Sequence, residues 1–215
     1  MTAGLQIADL CVAHGPRQMV RLTADIAPGE VLTIMGPSGS GKSTLLAALT
    51  GTLDPAFQAS GRITLNGREV TRLPTRQRRI GILFQDALLF PHLSVGGNLG
   101  FALPRGAPDR TARIDRALAE AGLAGFAPRD PATLSGGERA RVALMRTLLA
   151  DPEALLLDEP FSRLDAALRD QIRSFVLETA RRHGLPVILV THDGEDARAA
   201  GGSILSPMGA PVPAS

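Results

Sequence analysis

Gly36-Pro37-Ser38-Gly39-Ser40-Gly41-Lys42-Ser43-Thr44 fits the phosphate-binding loop pattern G-x-x-x-x-G-K-[ST], and its flanks decide the fold. Upstream, Glu30-Val31-Leu32-Thr33-Ile34-Met35 is a short apolar, β-branched run that predicts a buried strand; downstream, Lys42 to Thr50 predicts the opening turns of a helix. A glycine-rich turn before an ordinary helix would not need the buried strand ahead of it. Glycines let the backbone take positive φ and bring successive N–H groups near an anion, while the helix N-terminus adds partial positive charge. Lys42 is the only lysine; the rest of the 23 basic residues are arginine. A compact ammonium on a flexible stem reaches between phosphate oxygens in a way that a planar guanidinium does not. In such a loop Lys42 is expected on the β and γ phosphates of ATP and the Ser43 hydroxyl on Mg²⁺.

Three further runs end in polar residues where ligands gather in a parallel α/β sheet, at the carboxyl ends of the strands. Ala154-Leu155-Leu156-Leu157 stops at Asp158-Glu159-Pro160. Asp158 suits the Mg²⁺ shell, and Glu159 is placed to polarise an attacking water. Pro186 to Val190 stops at Thr191-His192-Asp193, and His192 could hydrogen-bond the γ-phosphate or that water. Ile80 to Phe84 stops at Gln85, whose amide oxygen could touch metal or water, although glutamine at a strand end is common.

Leu134-Ser135-Gly136-Gly137-Glu138-Arg139 opens a segment from Glu138 to Ala150 with apolar residues at helical spacing. Ser135, Gly136 and Gly137 then sit at a helix N-terminus, which suits a second anion or a plain N-capped surface helix. One γ-phosphate does not need two helix ends from one chain, so the second anion site is expected to serve another subunit.

Composition narrows the classes. With 215 residues, 44% of them hydrophobic, the chain can bury one full core, and two independent domains are not expected. A net charge of +2 gives little support to a nucleic-acid partner. Arg72, Arg76, Arg78 and Arg79, with no aromatic residues between them, are expected on a solvated turn. Cys11 is the single cysteine, which excludes an internal disulfide and suits a reducing compartment and a small core residue. No stretch approaches the roughly 20 apolar residues that span a bilayer. Residues 207–215, rich in Pro and Ala, are expected to form a loose tail.

These motifs together resemble the nucleotide-binding subunit of an ABC transporter, over nearly all of the chain from about Leu5 to Ser206. Gly36 to Thr44 resembles Walker A, Gln85 the Q-loop, Leu134 to Glu138 the family signature, Leu155 to Pro160 Walker B, Ser162-Arg163-Leu164-Asp165 the D-loop, and His192 the switch histidine. The resemblance implies an α/β P-loop NTPase over 1–206: a RecA-like core with a mostly parallel sheet, an antiparallel β subdomain, and an α-helical subdomain inserted at about 86–150. It also implies a head-to-tail dimer that sandwiches two ATP molecules, each between one copy's Walker motifs and the signature and Asp165 of the other. Gln85 to Val95 and the single cassette look like the importer branch serving thiamine, iron, sulfate, molybdate and polyamines, including an uncharacterised importer ATPase of that branch. The partners implied are integral membrane permease subunits and, indirectly, a substrate-binding protein, with the chain peripheral on the cytoplasmic face of the inner membrane.

Two positions depart from the family pattern. The tyrosine that usually stacks on adenine is missing, since the chain has none, and His14 falls at that place. Arg163 stands where a small residue is common. A chromosome-maintenance or repair ATPase with the same head would carry long coiled coils between Walker A and the signature, whereas this stretch is short, contains Pro91, Pro104 and Pro108 and shows no sustained heptads. A small-molecule kinase would not explain the signature or Glu159 beside Asp158.

Overall fold

Leu5–His14 (β1) shows how a one-residue irregularity keeps apolar side chains on one face. Leu5 and Ile7 are buried, then Leu10 and Val12, so the buried parity changes within the strand. The change falls at a register shift between Ile7 and Leu10, where Asp9 has φ 47° and extra backbone is taken up. The computed structural model, which describes residues 3–213, continues through Arg17–Ile26 (β2), Val31–Met35 (β3), Lys42–Thr50 (α1), Phe57–Leu65 (β4), Arg68–Glu69 (β5), Thr75–Arg78 (α2) and Ile80–Leu83 (β6).

The chain divides into two units: Met1–Ile82 with Glu153–Glu159 and Leu177–Ser215, and Leu83–Pro152 with Pro160–Val176. The first holds an antiparallel sheet in the order β2-β1-β4-β5. Its second sheet has the order β6-β7-β8-β3-β9, where β7 is Ala154–Asp158, β8 is Val187–Thr191 and β9 is Ile204–Leu205. β3 pairs in parallel with β8 and β9, and β7 with β8. Val31 to Ile34, Ala154 to Leu157 and Val187 to Thr191 are continuously buried, the pattern of strands covered on both faces. Leu45 and Leu49 of α1 lie in one cluster with Leu10 and Val12 of the antiparallel sheet and Ile34, Leu156 and Ile188 of the parallel one. Burial of each leucine contributes roughly 1.5–3 kcal/mol, so the helix that follows the glycine-rich loop is anchored on two sides.

Two expectations need correction here. Arg78 does not share a solvated turn with Arg72, Arg76 and Arg79: it is 7% exposed and donates to the carbonyls of Ala48, Leu49, Thr71 and Leu73 at 2.7–2.9 Å. The last turn of α1 leaves carbonyls without helical partners, and the guanidinium fork satisfies two of them. Burial lowers the pKa of Arg78 from its ordinary value. The expected loose tail is held as far as Val212. Pro207 O accepts from Arg21 N–H of β2, Ser206 N–H donates to Ala210 O, and Val212 N–H donates to Ile204 O. Edge-strand donors thus find partners in a segment whose composition alone argues against order. Ala214 and Ser215, which the expected tail also included, lie outside the described residues.

The second unit contains Val95–Ala102 (α3), Arg110–Glu120 (α4), a 3₁₀ turn at Pro131–Thr133, Gly136–Leu149 (α5) and the first part of Ala166–Arg182 (α6). α5 starts at Gly136, ahead of the expected Glu138, because a Ser135–Glu138 capping box offsets the low helix propensity of two glycines. Asn98 is fully buried; its amide donates to the carbonyls of Phe90, Leu93 and Ser94 and accepts from Phe90 N–H. Arg146 on α5 donates to the carbonyls of Ala87 and Leu88. Gly194–Ala200 (α7) lies in the first unit. Among the described residues no helix is long and apolar enough to cross a membrane.

Candidate functional site

β3 delivers Gly36 to Gly41 to the carboxyl edge of the parallel sheet, and α1 departs from it at Lys42. Gly41 has φ 104° and ψ 4°, and a Cβ there would lie 2.4 Å from the Met19 carbonyl, so the position requires glycine. No side chain caps α1. The Ser40 hydroxyl is buried with no hydrogen-bond partner, and Gly39, at φ 78°, faces open space. Uncapped helix N–H groups, an orphaned hydroxyl and an unfilled glycine cradle fit a phosphate group. Pro37, Ser38 and Ser43 are exposed and Thr44 is half-buried. Lys42 is 8% exposed; its Nζ donates to Gly36 O at 2.7 Å and Pro37 O at 3.1 Å.

β7 and β8 are parallel neighbours, so their carboxyl ends lie side by side, with Asp158 opposite Val190. Glu159 N–H extends the pairing by donating to Val190 O at 2.9 Å. Glu159 also has φ 47°, a left-handed conformation that costs on the order of 1 kcal/mol or more for a residue with a Cβ. Its carboxylate lies between two partners: Oε1 is 3.7 Å from Lys42 Nζ and Oε2 is 3.1 Å from His192 Nδ1. Burial raises the Asp158 carboxyl above its usual range, the adjacent Glu159 raises it further, and Lys42 opposes both. His192 is exposed and follows Thr191, whose hydroxyl accepts from Asp193 N–H at 3.0 Å. Asp193 in turn caps α7 by accepting from Glu195 N–H. The loop, Asp158, Glu159 and His192 thus converge within the first unit.

His14 is exposed at the end of β1, opposite Phe57 of β4 in the strand register, and the two rings lie 5.0 Å apart. Phe57 was not singled out in the sequence; only strand pairing brings it beside His14. Gln85, Ser135, Gly136, Gly137 and Asp165 all belong to the second unit. Ser135 Oγ accepts from Glu138 N–H at 3.2 Å, and Glu138 Oε2 accepts from Ser135 N–H at 2.6 Å. That box leaves the Gly136 and Gly137 N–H groups outside the cap. Gly137 also has a packing role that the sequence did not disclose: a Cβ would lie 2.7 Å from Leu168 Cδ1 and 3.3 Å from Ile172 Cδ1 of α6. Asp165 Oδ1 accepts from Leu168 N–H at 3.0 Å, at the start of α6. Gln85 is exposed beside a cavity of about 290 Å³ that Gly136 also lines.

Comparison with known proteins shows the family and the fold. The sequence profile described as ABC transporter matches residues 19–162. An uncharacterised ABC transporter ATP-binding protein of Escherichia coli K12, YnjD, is 52% identical over 186 residues, which is 85% of each chain. The thiamine import ATP-binding protein ThiQ of Cereibacter sphaeroides is 47% identical over 83% of this chain and 78% of its own length. The sulfate/thiosulfate import ATP-binding protein CysA of Mycobacterium tuberculosis is 41% identical over 92% of this chain, which spans only 56% of that relative. The solved structure of cbiO1 from Clostridium perfringens, titled as part of the ABC transporter complex cbiONQ, superposes with a TM-score of 0.82 at 29% identity, over 96% of this chain and 85% of that one.

Proposed function

This chain belongs to the ABC transporter family as an ATP-binding, ATP-hydrolysing subunit, and from that premise we propose that it energises an importer fed by a substrate-binding protein. The import-protein names of ThiQ and CysA support the direction of transport. The observation that carries the enzymatic part is the convergence of Lys42, Glu159 and His192 at three neighbouring strand ends.

Each residue then has a role that its chemistry supports. Gly36 to Gly41 and the α1 N-terminus cradle the phosphates of ATP, and Lys42 contacts the β and γ groups. Glu159 accepts the proton of the attacking water, and His192 holds that water or the γ-phosphate in place. His14, with its neighbour Phe57, offers a stacking surface for adenine. Mg²⁺ would be held by Ser43 and Asp158 together with phosphate oxygens, a donor set that suits an ion rarely bound in an all-protein cage. When bound, it neutralises charge on the phosphates. Among the described residues no cluster of three or more His, Cys, Asp or Glu forms such a cage.

Ser135, Gly136, Gly137 and Asp165 serve the ATP of a second copy, so the nucleotide closes a head-to-tail dimer and loss of its γ-phosphate reopens it. Closure passes to permease subunits, with the chain peripheral on the cytoplasmic face of the membrane as part of the same reading. The test is ATP turnover and particle mass for wild type and Glu159→Gln, alone and with its permease subunits. ATP-dependent doubling of mass in the slow variant is expected. A monomer under both conditions would overturn the shared-site reading.

A further inference from the structure

The segment that carries Gln85 is poorly held by its own side chains. Phe84 is 43% exposed, Leu88 is 57% exposed, and Leu88 has φ 45°. Two arginines hold it instead. Arg146 grips the Ala87 and Leu88 carbonyls from α5, as described above. On the other side, Arg163 Nη1 donates to Asp86 Oδ1 in an ion pair.

Arg163 projects from a fixed loop. Phe161 is fully buried, Leu164 N–H closes a turn onto Phe161 O at 3.2 Å, and Asp165 caps α6. The pair lies beside the cavity lined by Gln85, Gly136 and Arg139. Arg139 is committed elsewhere, donating to Leu134 O at 2.5 Å. Both partners of the pair are more than half exposed, 61% for Arg163 and 52% for Asp86, so its contribution to folding stability is small. Its consequence is local: it ties the side chain one residue after Gln85 to the loop that carries Arg163.

We propose that Arg163 is a positioning residue for Gln85, acting through its ion pair with Asp86. The arginine is thereby explained at a place where the sequence offered no reason for one. The proposal rests on the reading that Gln85 acts on metal or water at ATP.

The experiment is steady-state ATP turnover by the purified chain with matched thermal unfolding curves. Arg163→Ala and Asp86→Ala are each expected to lower kcat about two- to fivefold, the range open to an exposed pair, with KM for ATP changed by less than about twofold. The charge-reversed double variant, Asp86→Arg with Arg163→Asp, is expected to recover to within about twofold of wild type. The gap between wild type and Arg163→Ala is expected to narrow as ionic strength rises, because exposed charges are screened. Gln85→Ala serves as the control. If it is slow while both single variants run at the wild-type rate, or if the losses in the double variant multiply, the positioning role is wrong. Wild-type turnover in Gln85→Ala itself would overturn the reading of Gln85, and the proposal with it.

Discussion

Glu159, just after β7, and Lys42, at the start of α1, face each other across 3.7 Å, Oε1 to Nζ, although β7 and β3 never pair directly, since β8 runs between them. The left-handed backbone of Glu159 is part of that placement, because it turns the residue out of the strand just after the ladder ends. A glutamine keeps the shape and hydrogen-bonding reach but cannot take a proton. Glu159→Gln is therefore expected to lower kcat by about 10²–10⁴-fold. ATP binding by calorimetry should remain near wild type. A variant that turned over ATP normally would remove Glu159 from the chemistry.

Lys42 is the more demanding member of that pair. Its ammonium fits between the Gly36 and Pro37 carbonyls as a point charge, a geometry that a planar guanidinium does not reproduce. Lys42→Arg preserves the charge and is still expected to weaken ATP binding by about tenfold or more. Calorimetry reads this directly, and unchanged affinity would show that charge alone suffices.

Much of this site was legible because its signals are local in sequence. The loop from Gly36 to Thr44 and the acids after Leu157 each declare themselves within ten residues, and parallel pairing of β3, β7 and β8 then aligns their ends. What stayed hidden depends on partners far along the chain. Arg78 looked like Arg76 and Arg79 because two of its four acceptors lie on α1, distant in sequence. Phe57 meets His14 only through strand register, and Arg163 meets Asp86 across 77 residues. Gly137 read as an open anion contact, yet half of its reason is the Leu168 methyl pressed against it. The order of residues 206–212 likewise rests on donors of β2 and acceptors near β9, which composition does not reveal.

Arg78 offers a test of how strongly the loop depends on the far end of its helix. Arg78→Met keeps an apolar stem but leaves carbonyls of α1 and of residues 71 and 73 without their donor. Uncompensated buried acceptors cost about 1–3 kcal/mol each, so a loss of at least 2 kcal/mol, about that of one or two such groups, is expected in urea unfolding. ATP affinity should fall less than in Lys42→Arg, since the phosphate loop itself is intact. A fully stable variant would mean that water replaces the guanidinium.

The Ser135–Glu138 capping box makes stability depend on pH in a direction that can be worked out. The Ser135 N–H, and then its hydroxyl, hold the Glu138 carboxyl below its usual range, with smaller help from Arg129 and Arg139. A group whose folded pKa is depressed contributes stability above its unfolded pKa and loses it as pH falls through the folded value. The unfolded value for glutamate is about 4.3. Wild type should therefore melt above Glu138→Ala at neutral pH, and the gap should shrink as the pH drops below about 4. Melting curves for both proteins over that range read the effect. A gap independent of pH would show that Glu138 stabilises the helix start without its charge.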